Sequence, residues 1–394
     1  MVDVADLLTI DAALALVLER VKPLPDEDVA VGDALGRVLA VDAIARVDLP
    51  PFRSSAMDGY AVRAADTPGR LAIAGQSAAG RPAGVALEPG QAIAISTGAV
   101  VPDDSDAVVP VERTRRDGDR VEVDRVERGE NVRPRGGDTA SGATVVAAGT
   151  TCGPAQLGAL AAVGLATVRC ALRPRVAVLA TGSELRRPGE PLGPGQIYES
   201  NTVMLAGQLR RAGAEADVHG IVTDDAEATR AALERGLEAD VLITSGGVSV
   251  GEHDLVRGLL ADLGAVEVFW RVAVKPGKPI AFSTRGPTLV FGLPGNPISS
   301  FVGFELFVRP ALAALQGSSD ARPAFLPGTM AVAQPRNTAR DELVRARVDD
   351  GLAQPIRGQE SHMIARAAHA NALVLVPRGE GELAAGAAVS WLPF

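Results

Sequence analysis

The chain has 394 residues, of which 47% are hydrophobic and 22% charged, with a formal net charge of -9 at pH 7. That length holds roughly two to four domains with substantial cores, and the composition is that of a folded chain, not a disordered one. The acidic balance excludes a general nucleic-acid binder, so an anionic ligand must be caught at a local positive site. Cys152 and Cys170 make no disulfide framework and lie in no zinc spacing, and the four histidines are dispersed. The start Met1-Val2-Asp3-Val4-Ala5-Asp6 has neither the basic nor the apolar part of a signal peptide. No apolar run approaches the ~20 residues of a membrane span, so a cytoplasmic protein without membrane contact is expected.

Residues 9–21 read as an amphipathic helix capped by Thr9, and residues 31–39 as a second short helix. From residue 49 to 138, short Val/Ile/Ala runs alternate with Gly, Pro and Asp, the texture of a small all-β module. Asp117-Gly118 between Val111-Glu112-Arg113 and Val121-Glu122-Val123 predicts a hairpin. Residues 153–163 return to helix, which suggests a β module inserted into an elongated N-terminal region; helix and strand alternating within one mixed domain would look similar. Between about 173 and 317 the pattern is strand, loop, helix, with buried parallel strands expected at 176–179, 241–243 and 289–291. The remainder, from about 322, is Val-rich and punctuated by Pro, as in a small β domain.

The chain holds three lysines against 36 arginines, and two of the three stand in Lys275-Pro276-Gly277-Lys278-Pro279. An ammonium is a compact point charge and a guanidinium a flat fork, so lysines that persist in an arginine-biased chain point to an oxyanion or phosphate site. Small-residue loops follow the predicted strands: Ala180-Thr181-Gly182-Ser183-Glu184, Thr244-Ser245-Gly246-Gly247-Val248-Ser249-Val250-Gly251 and Gly292-Leu293-Pro294-Gly295-Asn296-Pro297. Loops at the carboxyl ends of parallel strands expose N–H groups to an anion. None has the Walker or dinucleotide-binding spacing. Glu184, Asp224 with Asp225, and Glu252 with Asp254 stand beside these loops, and carboxylates next to a phosphate call for a hard cation such as Mg²⁺. Asp225 and Glu252 read better as helix caps, Glu184 and Asp254 as functional groups. In the β module, Asp58 within Ser54–Val62 reads equally as a turn residue or a functional acid, and Asn131–Asp138 equally as a solvated loop or part of a site.

These segments, with Leu293–Ser299, Gly358-Gln359-Glu360-Ser361-His362-Met363 and Ala370-Asn371-Ala372-Leu373, closely resemble the molybdopterin molybdenumtransferase family of the MoeA and gephyrin E-domain type. Arg53-Ser54 stands where many members carry Asp-Asn. The resemblance implies a multidomain α/β plus β fold. Its parts are a helical stem (1–48 and 139–172) with an inserted β domain (49–138), a three-layer α/β molybdopterin-binding-like domain (173–320) and a C-terminal β barrel (321–394). It implies insertion of molybdate into adenylylated molybdopterin with Mg²⁺-dependent release of AMP. Asp58, Asp138, Glu184, Asp224, Asp254, Lys275 and Lys278 then look like the catalytic set, with Asp224 and Asp254 as metal ligands. Thr181, Gly182, Ser245, Gly246, Gly247, Ser249, Pro294, Gly295, Asn296, Pro297 and Ser299 look like cofactor contacts, and Ser299, Arg340 and Ser361 like groups holding molybdate. A homodimer with a shared site and the molybdopterin adenylyltransferase as partner are implied; an adenylyltransferase and a non-enzymatic scaffold are the rival functions.

Overall fold

The computed structural model describes residues 7–223, 225–247 and 255–394. At its centre, a six-stranded sheet runs in the order Glu215–Val222, Arg175–Thr181, Val241–Ser245, Thr288–Leu293, Ala281–Arg285, Val266–Trp270. The first four strands are parallel, as the apolar runs predict, and the last two are antiparallel. Strand alternation splits their side chains between two cores. Val176 and Val178 face helix Asn201–Arg211 and the long helix from Pro297, while Ala177 and Leu179 face Ala226–Gly236 and Leu255–Asp262. The result is a three-layer α/β unit.

The N-terminal helix, Ile10–Leu18, starts at Thr9, whose hydroxyl accepts the Ala12 N–H at 3.1 Å. It buries Ala13, Leu14 and Val17 in the same core as the α/β sheet. Helix Pro297–Leu315 is long and apolar enough to cross a membrane, but 78% of its apolar window is buried inside the protein.

Two strand pairs, Asp26–Ala30 with Thr167–Ala171 and Ala43–Ile44 with Thr144–Val146, join with helix Pro154–Ala162 around a separate core. Where a second helix was expected, Val31–Asp33 makes a single 3-10 turn, because Gly32 and Gly36 deny the segment a stable helical run. From here the chain leaves into a six-stranded sheet, Ala107–Pro110, Gly59–Val62, Gln91–Ile95, Gly69–Ser77, Arg120–Val123, Thr114–Asp117, and returns where Leu49 bridges Thr139. The Asp117-Gly118 hairpin is present, but its first strand is Thr114–Asp117, and the expected Val111–Arg113 is a 3-10 turn. At the C-terminus, Leu326–Met330, Asp341–Asp349, Leu352–Pro355, Ala372–Val376 and Ala388–Pro393 close into a five-stranded barrel. Its Leu343, Leu373 and Leu392 enter the α/β core, so barrel and sheet are packed as one body.

Candidate active site

Parallel pairing sets Ala180 beside Ser245 and Ser245 beside Leu293, which brings the three small-residue loops to one rim. Their approach requires glycine. At Gly246, φ is +96° and an added Cβ would lie 2.9 Å from the Thr181 carbonyl oxygen, so a side chain there is both strained and blocked. A cavity of about 540 Å³ opens between the loops, with Thr181, Glu184, Ser245, Gly295, Asn296 and Pro297 in its lining. Tyr198, Glu199 and Asn201 form another wall, and His362 of the barrel reaches the same space. Glu199 is buried and accepts hydrogen bonds from the Thr202 N–H at 2.8 Å and from the Thr202 hydroxyl, fixing the start of helix Asn201–Arg211. Asn201 Nδ2 donates to Ser245 Oγ and to the Gly295 carbonyl, both at 2.8 Å.

The lysine segment lies in the turn between the two antiparallel strands, closed by the Arg271 N–H to the Ile280 carbonyl and the Val272 N–H to the Lys278 carbonyl. Val274–Lys275 then pairs with the barrel strand, Lys275 opposite Glu342. Across this seam Lys275 Nζ stands 3.1 Å from Glu342 Oε1, and the Glu342 side chain is only 7% exposed. Lys275 is therefore a paired cation, held in place by a buried acid. An added Cβ on Gly277, where φ is +116°, would lie 3.6 Å from the Ser299 carbonyl, so the lysine turn rests on the first turn of helix Pro297–Gly303. Lys278 is half-buried on the same turn. Arg340 is half-buried and immediately precedes this seam, where the Asp341 N–H donates to the Ala273 carbonyl.

The loop carrying Ser361 and His362 is held by Arg345, a fully buried guanidinium in the barrel strand. Its Nη1 donates to the Met363 carbonyl at 2.8 Å, and its Nη2 to those of Gly358 and Glu360 at 2.8 and 3.2 Å. Desolvation lowers the Arg345 pKa, an effect partly opposed by the Glu360 charge. The same loop meets the helix start through the Ile298 N–H to the Ser361 carbonyl.

In the β module, Ser54–Ser55 pairs with Val132–Arg133, so the two motifs there do meet. Asp58 is exposed, with its Oδ1 accepting the Thr97 N–H at 2.9 Å, and Asp138 is exposed with its N–H on the Leu49 carbonyl. Neither lines the rim cavity. Asp225 caps helix Ala226–Gly236, its Oδ1 accepting the Ala228 N–H at 2.8 Å, as expected. Asp224, Ser249, Glu252 and Asp254 lie outside the described residues. Among the described residues no three Asp, Glu, His or Cys side chains gather as a metal site.

Asn201, Glu342 and Arg345 were not singled out by motif, and His362 stood in the Gly358–Met363 motif without a role. Arg345 alone carried a signal, a cation inside the apolar run Leu343-Val344-Arg345-Ala346.

Three family models cover most of the chain: MoeA N-terminal region (domain I and II) over residues 8–164, probable molybdopterin binding domain over 177–314, and MoeA C-terminal region (domain IV) over 327–394. Molybdopterin molybdenumtransferase 2 of Mycobacterium tuberculosis is 39% identical over 392 residues, covering 94% of this chain and 96% of the relative. The Haemophilus influenzae molybdopterin molybdenumtransferase is 34% identical over 98% of this chain and 99% of its own. The crystal structure of molybdopterin biosynthesis moeA protein from Pyrococcus horikoshii OT3 superposes with a TM-score of 0.86 at 28% identity, covering 99% of this chain and all of the other.

Proposed function

The chain belongs to the molybdopterin molybdenumtransferase family, and on that premise we propose that it inserts molybdate into adenylylated molybdopterin with release of AMP, in molybdenum cofactor biosynthesis. The observation that carries the reading is the juxtaposition at the rim. A cavity floored by glycine-rich loops and a helix start stands in the same rim as a turn bearing two of the three lysines that the arginine bias left in place. Backbone N–H groups and ammonium charges are the donors that a pyrophosphate and an oxyanion need as charge develops.

In this reading Lys275, oriented by Glu342, and Lys278 bind the anionic groups, and Thr181, Gly182, Ser245, Gly246, Gly247 and Pro294–Ser299 seat the ligand. Ser361 and Arg340, at the barrel seam, border the oxyanion. Mg²⁺ dependence is part of the proposal and rests on Asp224 and Asp254; bound there, the cation would supply Lewis-acid polarisation of the pyrophosphate. Asp58 and Asp138, exposed and away from the cavity in their own chain, act on a second subunit in a homodimer, with cytoplasmic residence and the division of the chain at residues 49, 138, 172 and 320 as proposed parts of the same picture. An adenylyltransferase would need only the part matched over 177–314, leaving the two flanking matches without a use.

The test is incubation with adenylylated molybdopterin, molybdate and MgCl₂, followed by measurement of released AMP and of molybdenum in the pterin product. AMP release with stoichiometric molybdenum, lost when Mg²⁺ is omitted, is the expected result. AMP transfer from ATP onto unadenylylated pterin would instead make the chain an adenylyltransferase.

A further inference from the structure

We infer that Asn201 is a positioning residue, which fixes the Ser245 hydroxyl as a hydrogen-bond donor to a phosphate oxygen of the ligand; the inference rests on the function proposed above. Asn201 is the first residue of helix Asn201–Arg211, is 7% exposed, and lies in the wall of the rim cavity. Its amide bridges two loops that are far apart in sequence, Ser245 Oγ on one and the Gly295 carbonyl on the other.

The chemistry of the partners settles the direction of each bond. A backbone carbonyl can only accept, so the amide end facing Gly295 is the NH₂ group. The same nitrogen lies 2.8 Å from Ser245 Oγ, so its second hydrogen is spent there and the hydroxyl oxygen accepts. The Ser245 proton is then left to point elsewhere. Ser245 is 3% exposed, lines the cavity, and has no other side-chain hydrogen-bond partner among the described residues. With one of its two lone pairs taken by the amide, the hydroxyl keeps its proton free to donate, which suits an anionic oxygen.

Among the described residues, Asn201 Oδ1 is buried with no hydrogen-bond partner. With both amide hydrogens committed to Ser245 and Gly295, the orientation of the side chain is set by those two partners. Alanine or leucine at this position would fill the wall without orienting Ser245.

The experiment measures binding of adenylylated molybdopterin without molybdate, by equilibrium ultrafiltration, in wild type, Asn201→Ala, Ser245→Ala and the double variant. Losing one charge-assisted donor should weaken binding about tenfold in Ser245→Ala, and Asn201→Ala should lose a comparable amount. The double variant should stay within about twofold of Ser245→Ala, because nothing remains for the amide to orient. Asn201→Asp covers the case in which alanine fails to fold. Its carboxylate accepts from Ser245 and takes the proton away from the ligand, so its affinity relative to wild type should be low near neutral pH and recover as the carboxyl protonates and can donate again. Wild-type affinity in Asn201→Ala, additive losses in the double variant, or a pH-independent Asn201→Asp ratio each overturn the inference. A wild type that binds no adenylylated molybdopterin refutes the proposed function instead.

Discussion

At the rim of the α/β sheet, Thr181, Ser245 and Gly295 come from three separate stretches of chain and meet because parallel pairing places their strands in register. In the β module, Ser54–Ser55 pairs with Val132–Arg133, while Asp58, a few residues further on, faces solvent. The rim groups are interlocked: Asn201 with Ser245, Lys275 with Glu342, Arg345 with the Ser361 loop. The module groups rest on single backbone bonds, such as Asp58 on the Thr97 N–H. Function and stability are therefore coupled at the rim and separable in the module.

The comparison is sharpened most by Arg345→Met. It leaves three carbonyls without their donor inside the fold, which should cost about 3 kcal/mol or more in urea unfolding and loosen the wall carrying His362. A loss under about 1 kcal/mol would show that the guanidinium is not what holds that loop. Next comes Lys275→Arg with Lys278→Arg. Charge and the Glu342 pairing survive, so stability should hold, yet AMP release should fall about a hundredfold because a flat fork replaces two point charges. Turnover within a few-fold of wild type would remove the lysines from the mechanism.

Asp58→Asn is the counter-case from the module. Exposed and singly bonded, it should change stability by less than about 0.5 kcal/mol while depressing turnover. The smallest effect belongs to Asp48, whose pKa is lowered by the Ser141 N–H and by Arg135. A depressed carboxylate adds stability above its unfolded pKa and loses it as pH falls through the folded value. Asp48→Asn should therefore melt slightly lower than wild type at neutral pH, with the gap closing in strong acid; a gap that persists there would rule out the ion pair as its source.

The parallel strands were legible because strands buried on both faces are continuous apolar runs, as in Val176-Ala177-Val178-Leu179. The glycine-rich loops were legible because only glycine tolerates the approach at Gly246. The antiparallel pair around the lysine turn was not, since Glu267 and Arg271 interrupt its apolar pattern. Nor were the residues that orient others. Asn201 is an ordinary polar residue at a helix start, and Glu342 acquires its role only when the barrel strand docks beside Val274–Lys275. Long-range partners of this kind leave no spacing to read.

The central claim is that rim and module serve one reaction, each supplied by a different subunit. Mixing inactive Asp58→Ala and Lys275→Ala subunits under confirmed exchange tests it directly. Half of the random dimers carry one intact composite site and one doubly damaged site, so AMP release should return to about a quarter of the wild-type rate. No return of activity, with mixed dimers shown to be present, would contradict the account and place Asp58 and Lys275 within one chain or Asp58 outside the site.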